Sequence, residues 1–219
     1  MWLVVKYKNN ELQILKNSLV NGVTKIIFAS SAAVYGNPKH LPIKELDDVD
    51  PISPYGKHKL LAESLITKFY QDYKVAACSL RIFSVYGPGL KKQLLWDVYN
   101  KAMDAKGDSI SLYGTGLESR DYIYIDDLLS AIDLVLKNGD FNGTIYNVAS
   151  GVEVEIQKIT KLLVSKLNKN INIQFNGVVK EGDPLNWLSD ITRLKKMGYK
   201  SEVSIEVGVK RYVEWLEKK

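Results

Sequence analysis

Tyr55 and Lys59 stand four residues apart in the stretch Ser53-Pro54-Tyr55-Gly56-Lys57-His58-Lys59. The stretch predicts the first turns of a helix, with Ser53 capping free backbone N–H groups and Pro54 at the first helical position. On a helix, Tyr55 and Lys59 share a face. A phenol normally titrates near pH ~10. An ammonium group held beside it favours the phenolate, which would make Tyr55 a usable base or acid near neutral pH. The competing reading is a solvated lysine beside a half-buried tyrosine. The pair alone does not decide between them.

Such a pair needs a scaffold, and the flanking sequence predicts one. Residues 11–21 place Leu12, Ile14, Leu15, Leu19 and Val20 at helical spacing, and Asn21-Gly22 ends the run. Residues 25–29 form a short apolar run, the first strand the sequence places, read as buried and parallel. It leads into Ser30-Ser31, where open α/β sheets bind ligands at the carboxyl ends of their strands. Residues 37–51 read as a surface loop, and the helix of Tyr55 runs over 54–73. A strand over 75–85, a helix over 90–106, and strands over 109–113 and 120–125 follow, with Asp126 capping a helix through 136. Strands over 144–149 and 171–175 alternate with helices over 156–167, from 190 to near 198, and over 204–219, the last with Val207, Val209, Tyr212, Val213 and Leu216 on its apolar face. Strands alternating with helices predict an α/β fold with a parallel sheet.

Composition narrows the classes. The 219 residues are 46% hydrophobic and 25% charged, a globular balance with room for one large domain or one and a half ordinary ones. Cys78 is the single cysteine and sits in an apolar run, which excludes a disulfide framework and predicts a reducing compartment. The opening residues are too short for a signal peptide and no apolar run reaches spanning length, so a soluble, cytoplasmic protein is expected, with no membrane partner. The net charge of +5 suits an anionic small ligand, but the lysines are scattered over polar helix faces. There is no basic block with interleaved aromatics, so nucleic acid is not an expected partner. No His/Cys cluster suggests a metal, and His40 and His58 read as surface residues.

Several motifs fall in one order: Ser30-Ser31-Ala32-Ala33-Val34-Tyr35-Gly36, then Tyr55-Gly56-Lys57-His58-Lys59, then Leu80-Arg81-Ile82-Phe83-Ser84-Val85-Tyr86-Gly87-Pro88-Gly89, then Gly114-Thr115-Gly116, then Arg120-Asp121-Tyr122-Ile123-Tyr124-Ile125-Asp126-Asp127-Leu128. Each is weak alone, and their joint order is specific. From about residue 11 to the end, the chain resembles the extended short-chain dehydrogenase/reductases, in the branch of NAD-dependent nucleotide-sugar epimerases and dehydratases, nearest to the UDP-glucose 4-epimerase type. The resemblance implies an incomplete Rossmann-like parallel sheet with a smaller α/β substrate-binding domain. Residues 1–88, with a returning segment near 121–150, would form the nucleotide-binding unit. Residues 89–120 and 151–219 would form the substrate domain. In that family a strand–Gly-x-x-Gly-x-x-Gly–helix unit cradles the NAD pyrophosphate, and this sequence contains none. The resemblance therefore implies the C-terminal two-thirds of such an enzyme.

Residue roles follow from the same resemblance. Ser31, Tyr55 and Lys59 would be the catalytic triad, the alternative for Ser31 being a strand-end hydroxyl bonded to backbone. Oxidising a sugar hydroxyl needs a base within hydrogen-bond reach and a hydride acceptor facing the carbon. Ser30, Tyr55, Lys59 and Phe83 would face NAD, although Phe83 reads equally as core. Ser84 and Gln93 fall where the 4-epimerase pattern has asparagines at the substrate. Ser111, Leu112 and Tyr113 match the strand along the uracil and ribose, and Tyr124 stands where the family often has His. Arg120 matches the arginine that binds the diphosphate, where a planar fork is apt; the alternative is a salt bridge with Glu118 or Asp121. Lys180-Glu181-Gly182-Asp183 resembles an Arg-Glu-Gly-Asp loop closing over the diphosphate, with Lys180 and Asp183 as contacts. Trp187 reads either as facing the sugar or as core.

The implied function is a UDP-hexose 4-epimerase working through a 4-keto intermediate. A 4-reductase or a C5-epimerase is an alternative within the same family. A 4,6-dehydratase needs an Asp-Glu acid/base pair where this sequence has Ala32 and Ala33, which disfavours it. A third class is an inactive fragment, or a subunit of a split enzyme whose separate chain supplies the first strands. A homodimer through helices 54–73 and 90–106 fits the family. Three structural expectations follow. Ser31, Tyr55 and Lys59 should converge at the carboxyl ends of the strands. Arg120 and the 180–183 loop should border the same cleft. Strand 25–29 should be left with an unpaired edge.

Overall fold

The computed structural model describes residues 2–5, 11–167 and 169–218. In chain order the elements are β1 (Trp2–Val5), α1 (Glu11–Val20), β2 (Lys25–Ser31), a 3-10 turn (Ala32–Val34), α2 (Pro54–Tyr73), β3 (Ala76–Ile82), β4 (Ser84–Tyr86), α3 (Gln93–Asp104), β5 (Ser109–Leu112), β6 (Ser119–Tyr124), α4 (Ile125–Asn138), β7 (Asn142–Val148), β8 (Glu153–Glu155), α5 (Ile156–Val164), β9 (Asn172–Phe175), α6 (Thr192–Lys196) and α7 (Ile205–Glu217).

The main sheet is all parallel, in the order β1-β2-β3-β7. β2 and β3 are covered on both faces, which is why β2 reads as an apolar run rather than an alternating one. Ile26 and Phe28 pack with Leu15 of α1 and with Ala62, Ile66 and Phe69 of α2. Ile27 points the other way and joins Cys78, Leu80 and the α4 residues Leu128, Ala131 and Val135. A second core lies under α3, α5 and α7, with Leu95, Val98, Ile159, Leu163, Val209, Tyr212 and Val213 packed around β5, β6 and β8. There β4 and β6 are parallel, β6 and β8 antiparallel, and β5 pairs with β9.

The expected unpaired edge at residues 25–29 is not there. Trp2–Val5 pairs in parallel with Lys25–Phe28. Four apolar residues at the chain start, with no turn signal ahead of them, carry too short a pattern to be read as a strand. The expected strand over 75–85 is two: the chain leaves the main sheet after Ile82 and joins β6 from Ser84. The helix expected over 90–106 is only Gln93–Asp104. Asp126 does not cap α4, whose N-cap is Tyr124, and it lies within the first turn instead. Asp190 precedes α6 and accepts a hydrogen bond from the Thr192 N–H at 2.7 Å. Val207, expected on the apolar face of α7, is exposed. Trp187, Ile191, Leu194 and Tyr199, expected in the substrate domain, pack into the first core. Among the described residues no helix is long and apolar enough to cross a membrane.

Candidate active site

The N-terminus of α2 is built as its sequence predicts. The Ser53 hydroxyl accepts a hydrogen bond from the Gly56 N–H at 3.1 Å, and Pro54 opens the helix. Gly56 lies directly on the turn that follows Ser31: a Cβ at this position would stand 2.4 Å from the Ala33 carbonyl oxygen. The absence of a side chain thus lets α2 approach the carboxyl end of β2. Lys59, one turn on, is 3% exposed. Its ammonium donates to the Ala29 carbonyl at 2.7 Å and lies 4.8 Å from the centre of the Phe28 ring and 5.7 Å from that of Tyr55. Tyr55 itself is 51% exposed. A buried ammonium thus sits under an accessible phenol, both at the strand's carboxyl end. Ser31 Oγ accepts from the Ala33 N–H at 3.2 Å. That bond engages an oxygen lone pair and not the hydroxyl proton.

The remaining expected cofactor residues lie deeper. Ser30 is buried, and its hydroxyl donates to Glu63 Oε1 at 2.5 Å. Strand alternation turns it towards α2 rather than the open end of the sheet. Phe83 is buried with its ring 6.0 Å from Trp187 and 6.3 Å from Tyr35, a core placement.

On the substrate side, Arg120 makes neither of the salt bridges open to it in the sequence. The Glu118 carboxylate instead accepts from the Thr115 and Gly116 N–H groups. Asp121 accepts from Ser150, Gly151 and Ser189. Arg120 Nη1 donates to the Ser119 and Leu185 carbonyls at 2.8 and 3.0 Å, and the guanidinium lies 5.4 Å over the Trp187 ring. Burial pulls its pKa down from the usual arginine value, against the nearby charges of Asp183 and Glu118. A partly desolvated cation of this kind favours an anion beside it. The 180–183 loop reaches the same region. Asp183 N–H donates to the Lys180 carbonyl at 3.1 Å, closing the turn. A Cβ on Gly182, at φ +84°, would stand 3.9 Å from the Ile52 carbonyl oxygen and the Ser53 Cβ. The loop therefore abuts the cap of the helix that carries Tyr55.

The other expected substrate residues divide. Ser111 and Tyr113 are exposed, but Leu112, between them on β5, is buried in the second core. Ser84 is half-buried on β4. Gln93 is exposed and opens α3 at φ +66°, a left-handed conformation that costs a non-glycine residue energy. Trp187 is buried, with its indole N–H donating to the Gly36 carbonyl at 2.9 Å, so it is core and a platform for Arg120. Tyr124 is buried against Tyr86.

Sequence reasoning missed two groups. Asp121 is fully buried and ties β6 to the turn at Ser150 and to Ser189 at the end of the 180s loop; burial pushes its carboxyl up to about 6, against the hydrogen bonds that favour the charged form. An acid on the expected strand, directly ahead of the apolar run Tyr122-Ile123-Tyr124, was the available signal. Glu63 continues the four-residue series of Tyr55 and Lys59 and is buried. That spacing was also legible.

The family model described as NAD dependent epimerase/dehydratase family matches residues 8–149. An uncharacterised protein of Methanocaldococcus jannaschii is 32% identical over 195 residues, covering 88% of this chain and 59% of that protein. A UDP-glucuronate 4-epimerase of Arabidopsis thaliana is 29% identical over 223 residues, covering 94% of this chain and 50% of that protein. The chain thus spans between half and three fifths of the length of these relatives. Among solved structures, the UDP-glucose 4-epimerase of Thermotoga maritima with UDP-glucose superposes with a TM-score of 0.86 at 29% identity, over 95% of this chain and 68% of that one. The extent of the family match and the fold together show that the chain belongs to the NAD-dependent epimerase/dehydratase family.

Proposed function

We propose that the site takes a UDP-hexose and inverts its C4 hydroxyl through a 4-keto intermediate. The observation that carries this reading is the packing of the 180–183 loop on the Ile52–Ser53 cap of α2. It brings the elements bearing Arg120, Lys180 and Asp183 next to the element bearing Tyr55. An anion-seeking rim beside a phenol and a buried ammonium suits a sugar held by its diphosphate.

NAD is the cofactor of the family, and the residues here fit one end of it. Lys59 and Tyr55 sit together at the carboxyl end of β2, where a ribose hydroxyl could be held. No glycine-rich turn for a pyrophosphate exists in the 219 residues. When bound, NAD supplies the hydride acceptor and, later, the donor. The chain's own part is proton and position. Tyr55 Oη takes the C4 hydroxyl proton as the C4–H bond breaks and the carbonyl forms. Ser31 donates a hydrogen bond to the same oxygen. Lys59 supports the developing phenolate. Arg120 and Lys180 would hold the diphosphate and leave the 4-keto sugar free to turn over, and Tyr55 would give the proton back to the C4 oxygen. Lys180 supplies charge without a fork. Dehydration is disfavoured because neither Ala32 nor Ala33, on the 3-10 turn beside Ser31, can move a proton.

Amide-resolved NMR titration with UDP-hexose tests the reading. Binding should shift Ser31, Tyr55, Arg120 and Gly182 together. Shifts confined to the surface of α5 and α7 would refute it.

A further inference from the structure

Residues 55, 59 and 63 form one stripe along α2, and the stripe is stitched to the end of β2 one residue at a time. Lys59 donates to the Ala29 carbonyl at 2.7 Å, and Glu63, one turn on, accepts from the hydroxyl of the next residue, Ser30, at 2.5 Å. Glu63 is also gripped from β3. Arg81 Nε lies 3.0 and 3.2 Å from the two carboxylate oxygens and Nη2 lies 2.8 Å from Oε2. Both side chains of this ion pair are within 4% of full burial.

Arg81 is itself fixed on its other sides. Its Nη1 donates to the Glu45 carbonyl at 3.1 Å, and its guanidinium lies 4.7 Å over the Tyr35 ring. Tyr35 donates to Asn147 Oδ1 at 2.7 Å, and the Asn147 N–H donates to Glu45 Oε1 at 3.1 Å. One continuous buried network therefore joins α2 to β2, β3, β7 and the loop ahead of α2.

Stability alone is a poor reason for this arrangement. Desolvating two charges costs several kcal/mol per ion, and well-packed apolar side chains often serve as well or better. Direction is what apolar contacts lack. A bidentate fork has one good geometry, whereas an apolar helix face can turn or slide on a sheet. A turn of α2 by about 20° sweeps a side-chain tip ~6 Å from the helix axis through about 2 Å. Misplacement on that scale is enough to disable a reacting group.

We propose that Glu63 and Arg81 are positioning residues, whose buried ion pair, tied to Ser30, fixes the rotation and register of α2 over the carboxyl end of β2 and so holds Lys59 and Tyr55 in place. The consequence for catalysis rests on the function proposed above; the clamp does not. Glu63 is two turns from Tyr55 and acts through the helix.

The test reads the clamp without cofactor or substrate. Lys59, buried on the Ala29 carbonyl, should resist acylation by acetic anhydride, followed peptide by peptide by mass spectrometry, while exposed Lys210 reacts freely. In the apolar double variant E63M/R81M the melting temperature should hold or rise, and Lys59 acylation should speed up about tenfold or more through local opening, with Lys210 unchanged. Lys59 acylation within about twofold of the parent would overturn the proposal. So would a gain in Lys59 reactivity that tracks global unfolding, with the same denaturant dependence as exchange of the β3 amides. If the double variant does not fold, S30A decides, because it removes one partner and leaves the ion pair. There an increase of about threefold is expected, and no increase overturns the proposal. Loss of UDP-hexose binding would refute the function and leave this result standing, so the two failures are distinguishable.

Discussion

Asp121 shows how one residue can tie a site together and also set its pH response. Its carboxylate collects hydrogen bonds from Ser150, Gly151 and Ser189, next to Arg120 on β6. Burial nevertheless pushes its pKa up to about 6, above the ~3.9 of an unfolded aspartate. The folded state then binds the proton more tightly than the unfolded one. The stabilisation from that proton is fully present below pH ~3.9 and is lost as pH rises through about 6. An asparagine at this position cannot titrate. The stability gap between the parent and D121N, from urea midpoints, should therefore be larger at pH 4 than at pH 7.5, by about 2 kcal/mol. A gap that does not change with pH would mean that folding leaves the Asp121 pKa where it stands in the unfolded chain. At the same scale, S53A removes the oxygen that accepts from Gly56 N–H and should cost about 1 kcal/mol in chemical denaturation. An unchanged midpoint would contradict that.

The elements decide how closely these residues can meet, and Gly56 is where α2 rests on the turn after β2. In a free helix, alanine would be favoured over glycine by up to ~1 kcal/mol. Here a Cβ would overlap the Ala33 carbonyl at 2.4 Å and Pro51 at 2.9 Å. The overlap should win, so G56A should be less stable than the parent by roughly 2 kcal/mol in urea. A stabilised G56A would mean that α2 does not rest on the Ser31 turn. Much of this level was legible in advance. The start of α2 was set by Ser53-Pro54, β2 by the apolar run that two covered faces require, and β3 by a run of mostly apolar or small residues. The break at Phe83 was not, because a strand that changes sheets stays apolar on both sides of the change. Nor was β1, with four residues and no bounding turn. Ser30 and Ser31 differ by one position, and only the fold shows that Ser30 turns into a buried network while Ser31 stays at the strand end. Leu112 was chosen for its position on a strand, and the alternation of β5 puts it in the core.

At the scale of the whole molecule, the cofactor and the substrate of the proposed reaction are treated differently. Under the proposed function Tyr55 and Lys59 would hold the nicotinamide end of NAD, but no glycine-rich turn for its pyrophosphate lies within the 219 residues. Much of a cofactor's binding energy comes from parts remote from the reacting atoms. The 219-residue chain should therefore bind NAD weaker than micromolar by calorimetry and show negligible epimerase turnover with UDP-hexose and NAD together. Micromolar binding with turnover would mean that a nucleotide site is built here in another way. The diphosphate of the proposed substrate is a different case, because Arg120 and the 180–183 loop both lie within the chain and the loop rests on the cap of α2. Calorimetric titration with UDP-hexose, comparing the parent with R120A, is the most direct test. Hydrogen bonds to a charged group are worth ~1.5–3 kcal/mol, so R120A should bind at least about tenfold more weakly. Equal affinity for both proteins, or no binding by the parent, would contradict a nucleotide-sugar site at this position.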